Sequence, residues 1–196
     1  MIARGEDDRP VALSLLDESW GYACSLPGPG RYSFDVRVDR HGHSSSGATD
    51  VPTEGLAELT LVAPAIAILE VACTELGGAP EVFLPCRVSV QAGHDAAQNA
   101  GVGHELYATE ATQRFAVPPG SYTVTLSRGF EYELVRQNVD LTEGEVQRVE
   151  GQLLRSVDTA GWVATVVHVH SEFSIDSALP IDERLRALAA SGMEFV

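Results

Sequence analysis

From Leu56 to Leu154, apolar residues recur at every second position in short runs, and glycine- and proline-rich breaks separate the runs. Such alternation turns one face of each segment toward a core. It predicts strands over 57–63, 65–74, 86–92, 112–117, 121–127, 131–140 and 145–154. Breaks at Glu75 to Pro80, Gly93 to Gly103, Pro118 to Gly120, Arg128-Gly129 and Thr142 to Gly144 set the ends. Short strands at such intervals argue for an antiparallel β-sandwich. Upstream, Tyr32, Phe34, Val36 and Val38 fall on one face of a half-buried strand over Arg31 to Arg40, and Leu13 to Leu16 reads as a shorter strand. Residues 1–12 read as a loosely attached start. Residues 41–55 carry His41, His43, a serine run and Pro52. They read as a mobile polar loop, and that outweighs a metal-binding role for the two histidines.

Past Leu154 the pattern changes. Residues 156–160 form a short linker, and the valines ahead of His168 predict a strand over 162–169. A helix is predicted from Pro180 to Ser191, with Ile181, Leu185, Leu188 and Ala189 on one face. Pro180 suits a first turn, Asp182 and Glu183 favour the positive end, and Gly192 is a fitting stop. Met193 to Val196 would begin a second, parallel strand. The expected architecture is mainly β: an antiparallel β-sandwich followed by a truncated βα unit of a (β/α) barrel. The expected divisions are a 1–55 extension with a strand and polar loop, a 56–155 sandwich and a 156–196 βα unit.

Charge narrows the partners. The chain carries 28 acidic and 13 basic residues, for a net charge of -15. This repels phosphate backbones and argues against nucleic-acid binding. Every basic residue is arginine, so lysine chemistry is excluded. Cys24, Cys73 and Cys86 show no paired spacing. Cys73 and Cys86 could meet on adjacent strands, but buried free thiols are the expectation. Residues 1–12 hold no apolar leader, and the stretch from Leu59 to Cys73 is too short to cross a bilayer. A cytoplasmic location, away from membranes, is the default.

The candidate chemistry lies near the end. On a strand, His168 and His170 would share a face and reach one divalent cation, with Asp176 near enough to add a carboxylate. Arg128, Glu131 and Glu133 resemble a carboxylate pair with an arginine clamp, but contact with the following segment is the preferred reading over acid–base work.

Gly161-Trp162, His168-x-His170-Ser171, Ser174-x-Asp176, the Pro180 helix with Asp182-Glu183-Arg184, and Gly192-Met193-Glu194-Phe195-Val196 together resemble the start of a PHP (polymerase and histidinol phosphatase) metallohydrolase of the CehA type. The run Phe115 to Leu126, with Pro118-Pro119-Gly120 before Tyr122, Val124 and Leu126, resembles a carboxypeptidase-regulatory-like sandwich of the kind that precedes such domains. The resemblance implies a phosphoesterase-like hydrolase with a divalent metal cofactor (zinc, manganese or iron) and a small-molecule or phosphoester substrate. It also implies His168, His170 and Asp176 as metal ligands, with Ser174 no nearer than the groups around them. The family's usual Asp before the first histidine is Val166 here. Its other ligand motifs would fall after Val196. The expectation is an N-terminal part that touches the rest of its catalytic domain within one molecule and, alone, is inactive and binds metal weakly. The reading from another class is a sandwich that serves only as a binding module for a glycan, a peptide or a partner domain.

Overall fold

The computed structural model describes residues 1–15, 22–37, 43–55, 58–79, 82–97 and 104–195. It divides into two compact units, Met1–Ile66 and Ala67–Val196. These stand beside expected divisions at 55 and 155.

The first unit is a four-stranded antiparallel sheet. Its strands are β1 (Ile2–Arg4), β2 (Pro10–Leu13), β3 (Gly30–Arg37) and β4 (His43–Val51), in the order β2-β1-β3-β4. Tyr32, Phe34 and Val36 are buried, as their alternation predicts; Val38 lies outside the described residues. The start of the chain is not loosely attached. Pairing of β1 with β3 sets Ala3 opposite Phe34, and Met1 and Ala3 join the core with Tyr32, Phe34 and Val51. Asp35, also buried, accepts from Arg4 Nε at 2.7 Å. The expected polar loop is largely β4, which pairs with β3 from Gly30↔Val51 to Arg37↔His43. An edge strand is held by main-chain bonds, so a serine run suffices. His41 lies outside the described residues. Residues 58–63, expected as strand, form none.

The second unit is the predicted sandwich. Its strands are β5 (Ala67–Glu75), β6 (Cys86–Ala92), β7 (His104–Ala108), β8 (Gln113–Val117), β9 (Gly120–Ser127), β10 (Val135–Leu141) and β11 (Val146–Leu153). One sheet runs β10-β9-β6-β7 and the other β11-β5-β8. Pairing is antiparallel throughout except between β11 and β5, which are parallel from Val146↔Ile68 to Leu153↔Glu75. Alternate residues of both sheets build one core: Leu69 and Val71 from β5, Val88 and Val90 from β6, Val124 and Leu126 from β9, Val149 and Leu153 from β11. Tyr122 packs on this core and donates to the Pro118 carbonyl at 2.9 Å. The sequence pattern missed β7, whose Leu106 and Ala108 complete the face over β6. The expectation of free thiols at Cys73 and Cys86 is also corrected. Cys73 on β5 and Cys86 on β6 form a disulfide that ties the two sheets together, and Cys24 stays free.

The last segment departs further from expectation. Helix α1 (Ile181–Ala190) forms as predicted, with Pro180 and Ser191 at its ends. The valine segment 162–169 does not form a strand. It makes a single parallel bridge, Thr165↔Phe195, with bonds from Val166 N to Phe195 O at 3.1 Å and Glu194 N to Ala164 O at 2.8 Å. A parallel strand needs paired neighbours and covered faces. Here Trp162, Val163, Val167 and Phe195 are exposed. Among the described residues no helix is long and apolar enough to cross a membrane.

Candidate functional site

His168 and His170 sit beyond the Thr165 bridge, in backbone without regular structure. Their imidazoles still converge. His168 Nε2 and His170 Nε2 are 2.7 Å apart, and the rings lie 4.8 Å apart between centroids. Asp176 Oδ1 stands 2.8 Å from His170 Nδ1. The three residues singled out in the sequence therefore come together, but as a chain rather than around a point. Asp176 backs the far edge of the His170 ring. A carboxylate on Nδ1 favours the proton there and leaves the Nε2 lone pair facing outward. His170 Nε2 then accepts from His168 Nε2–H. Among the described residues no group of three or more His, Cys, Asp or Glu side chains is arranged to hold a metal ion.

The donor chemistry nonetheless fits a divalent cation at two positions. Two imidazole nitrogens lie side by side, hydrogen-bonded to each other at 2.7 Å, and a carboxylate fixes the tautomer of one of them, as carboxylates do behind metal-bound histidines. The pair is open to solvent, with the His170 side chain 43% exposed. Val166, two positions before His168, supplies no carboxylate to the pair. Ser174 lies in a turn, its N–H on Ser171 O at 2.8 Å and its own carbonyl accepting from Ser177 N at 3.3 Å.

Two residues that hold this loop were missed in the sequence. Arg184, on α1, donates from Nε to the His170 carbonyl at 2.9 Å. Glu172 receives the Ile181 N–H on Oε1 at 3.1 Å and so caps the first turn of the helix, while its own N–H reaches Leu179 O at 2.8 Å. Neither contact has a sequence signature, because each depends on how the 171–180 loop turns back.

Arg128 and Glu131 face the following segment, in line with the preferred reading. Arg128 Nη1 donates to Pro85 O at 2.7 Å and to Ala189 O, in the last turn of α1, at 2.9 Å. A cation there also suits the negative end of the helix. Gly129 and Gly192 make the close approach feasible: both have positive φ, and a Cβ on Gly129 would stand 2.5 Å from Ser191 O. Glu131 accepts from Thr159 Oγ1 and from Arg155 Nη2. The Thr159 hydroxyl is the largest influence and holds its carboxyl below the usual glutamate range; burial, next in size, opposes it, and Arg155 and Arg128 add smaller lowering effects. The Glu133 side chain is exposed; its N–H bonds Leu154 O at 2.9 Å.

The sign of the Glu131 shift fixes a pH effect. A lowered carboxylate contributes stability that is present at neutral pH and is lost as pH falls through its folded value. The Ser156 and Val157 amides, both bonded to Glu131 O, should exchange faster below the ordinary glutamate range. Native-state hydrogen exchange on an acid series checks this, and Thr159→Val should move the onset to higher pH. An onset that does not move would show that Thr159 does not hold the carboxylate.

No family model matches this chain, and no curated protein matches it. Solved structures similar to it in part include two β-rich proteins. The Bacillus anthracis TIE protein matches with a TM-score of 0.38 and 15% identity, over 78% of this chain and 30% of that one. GBS52, the minor pilin of Streptococcus agalactiae, matches with a TM-score of 0.32 and 11% identity, over 81% of this chain and 70% of that one. This chain thus spans under a third of the TIE protein structure. Likenesses at this level carry no inference about activity.

Proposed function

We propose that this chain is the leading part of a metal-dependent hydrolase of the PHP, phosphoesterase-like type, and that it contributes the first two metal-holding histidines. The observation that carries the reading is the convergence of His168 Nε2 and His170 Nε2 at 2.7 Å, with Asp176 behind His170. Bound there, a divalent cation would supply Lewis acidity toward a phosphoester oxygen and an activated water. His168 and His170 would hold it, and Asp176 would orient His170 and fix its tautomer. To bind, His168 must give up its Nε2 proton or turn its ring, since that nitrogen now donates to its neighbour. Two donors leave a cation mostly hydrated, so binding by this chain alone is weak and turnover of a phosphodiester is absent.

The test is a titration with zinc and with manganese, read against a competing chromophoric chelator, for the wild type and for His168→Ala/His170→Ala. Weak uptake that the double variant loses is the expected result. Uptake equal in both proteins would remove the metal role of these histidines. Phosphodiester turnover by the wild type that vanishes in the double variant would overturn the expectation that this chain alone is inactive.

The compartment we propose is an oxidising one rather than the cytoplasm. The support is the Cys73–Cys86 disulfide, since such bonds persist where thiols are not kept reduced.

A further inference from the structure

We infer that the β-sandwich is the scaffold of the histidine pair, and that Arg128 and Arg184 are positioning residues that carry this support through α1. The inference rests on the metal-holding reading of His168 and His170 and adds to it a role for the rest of the unit.

Apolar burial does little to hold the histidine loop, although Ser171 is buried. Val167, Phe173 and Ile175 around it are exposed, and regular pairing stops at the single Thr165 bridge. What fixes it is polar. The Arg184 guanidinium grips the His170 carbonyl, and Glu172 joins the loop to the first turn of α1. The helix in turn is fixed at its other end. Ala190 is fully buried, α1 rests on β6 and β7, and Arg128 links Ala189 O to Pro85 O just ahead of β6. Gly129 lets the β9 end of the sandwich approach the Ser191 carbonyl without a side chain between them. A continuous path therefore runs from the sandwich through Arg128 to the last turn of α1, along the helix to Arg184, and on to the backbone of His170. Each step is a directed hydrogen bond or a backbone contact, so it fixes orientation as well as distance. Groups that orient a ligand from behind typically change metal affinity about 10- to 100-fold when lost.

The experiment compares the full chain with Arg184→Ala, Arg184→Lys, Arg128→Ala and Gly129→Ala. Three quantities are read: exchange of the Glu172 amide, zinc affinity against a competing chelator, and the thermal midpoint of the sandwich. Arg184→Ala should speed Glu172 exchange and weaken zinc binding about 10-fold or more, with the midpoint unchanged. Arg184→Lys should restore part of both, since an ammonium can still donate to the carbonyl. Gly129→Ala removes no charge, so it tests the helix seat even where Arg128→Ala fails to fold, and it should act in the same direction. Glu172 exchange as slow in Arg184→Ala and Gly129→Ala as in the wild type would overturn the inference. So would zinc affinity that falls only in step with the thermal midpoint. A wild type that takes up no zinc would defeat the metal reading, and the exchange rates alone would then decide for or against the scaffold.

Discussion

Leu126→Ala lowers the unfolding free energy of the second unit by about 2–5 kcal/mol, the range for a fully buried leucine cut back to alanine. Leu126 is fully buried near the end of β9, among core residues from both sheets. Its surroundings cannot collapse into the space it leaves. Val88 faces it across the β6–β9 pairing and Val135 across the β9–β10 pairing, and both are fixed by their ladders. On the opposite sheet, Gly151 of β11 presents no side chain because Leu126 Cδ1 already occupies the place of a Cβ there. The two residues form one large–small pair across the core. Gly151→Ala alone should therefore overpack the site and cost about 1–3 kcal/mol, while the double variant should cost less than the sum. Urea unfolding with an unchanged m-value measures both. A loss below about 1 kcal/mol for Leu126→Ala would mean that the two sheets are not packed as tightly as this pair implies.

Removing the disulfide as Cys73→Ala/Cys86→Ala costs about 3 kcal/mol. This is the chain-entropy expectation for a closed loop of this size, 13 residues apart in sequence. Alanine is the right replacement, because both positions are buried and a serine hydroxyl would add its own desolvation cost. Thermal unfolding with and without a reducing agent gives an independent reading: the wild type should fall toward the variant, and the variant should not respond. Thiol counting on unreduced, denatured protein should find one free group, Cys24. Three free thiols in protein taken from its own cell would overturn both the staple and the oxidising compartment.

Much of the sandwich was legible because burial was one-sided. Strands such as β6 and β9 alternate apolar core residues with polar ones, and the Pro118-Pro119-Gly120 break sets the start of β9. The helix was legible from Pro180, its acidic first turn and Gly192. Where pairing alone makes the element, the pattern was silent. β4 is a polar edge strand, and β1 is a three-residue strand whose burial depends on β3. The valine run misled in the other direction: hydrophobic alternation promises a strand only if neighbours exist to pair with it. In the candidate site, His168, His170 and Asp176 were visible by type and spacing. Their arrangement was not, because which nitrogen Asp176 meets depends on the turn through Ser174. Arg184 and Glu172 were invisible for the same reason. The disulfide stood as an open alternative that only the packing of the two sheets could decide.

The parallel pairing of β5 with β11 has a consequence in time. β5 is the middle strand of its sheet, yet its β11 partner is the last strand of the sandwich. A chain emerging from the ribosome shows the apolar face and one bare edge of β5 until Val146–Leu153 appears, and such late, non-local closure slows folding. Cys86, by contrast, emerges soon after Cys73. Oxidation can therefore fasten β5 to β6 while the remaining strands are still being made, and so limit the interval in which an open β5 edge meets another chain.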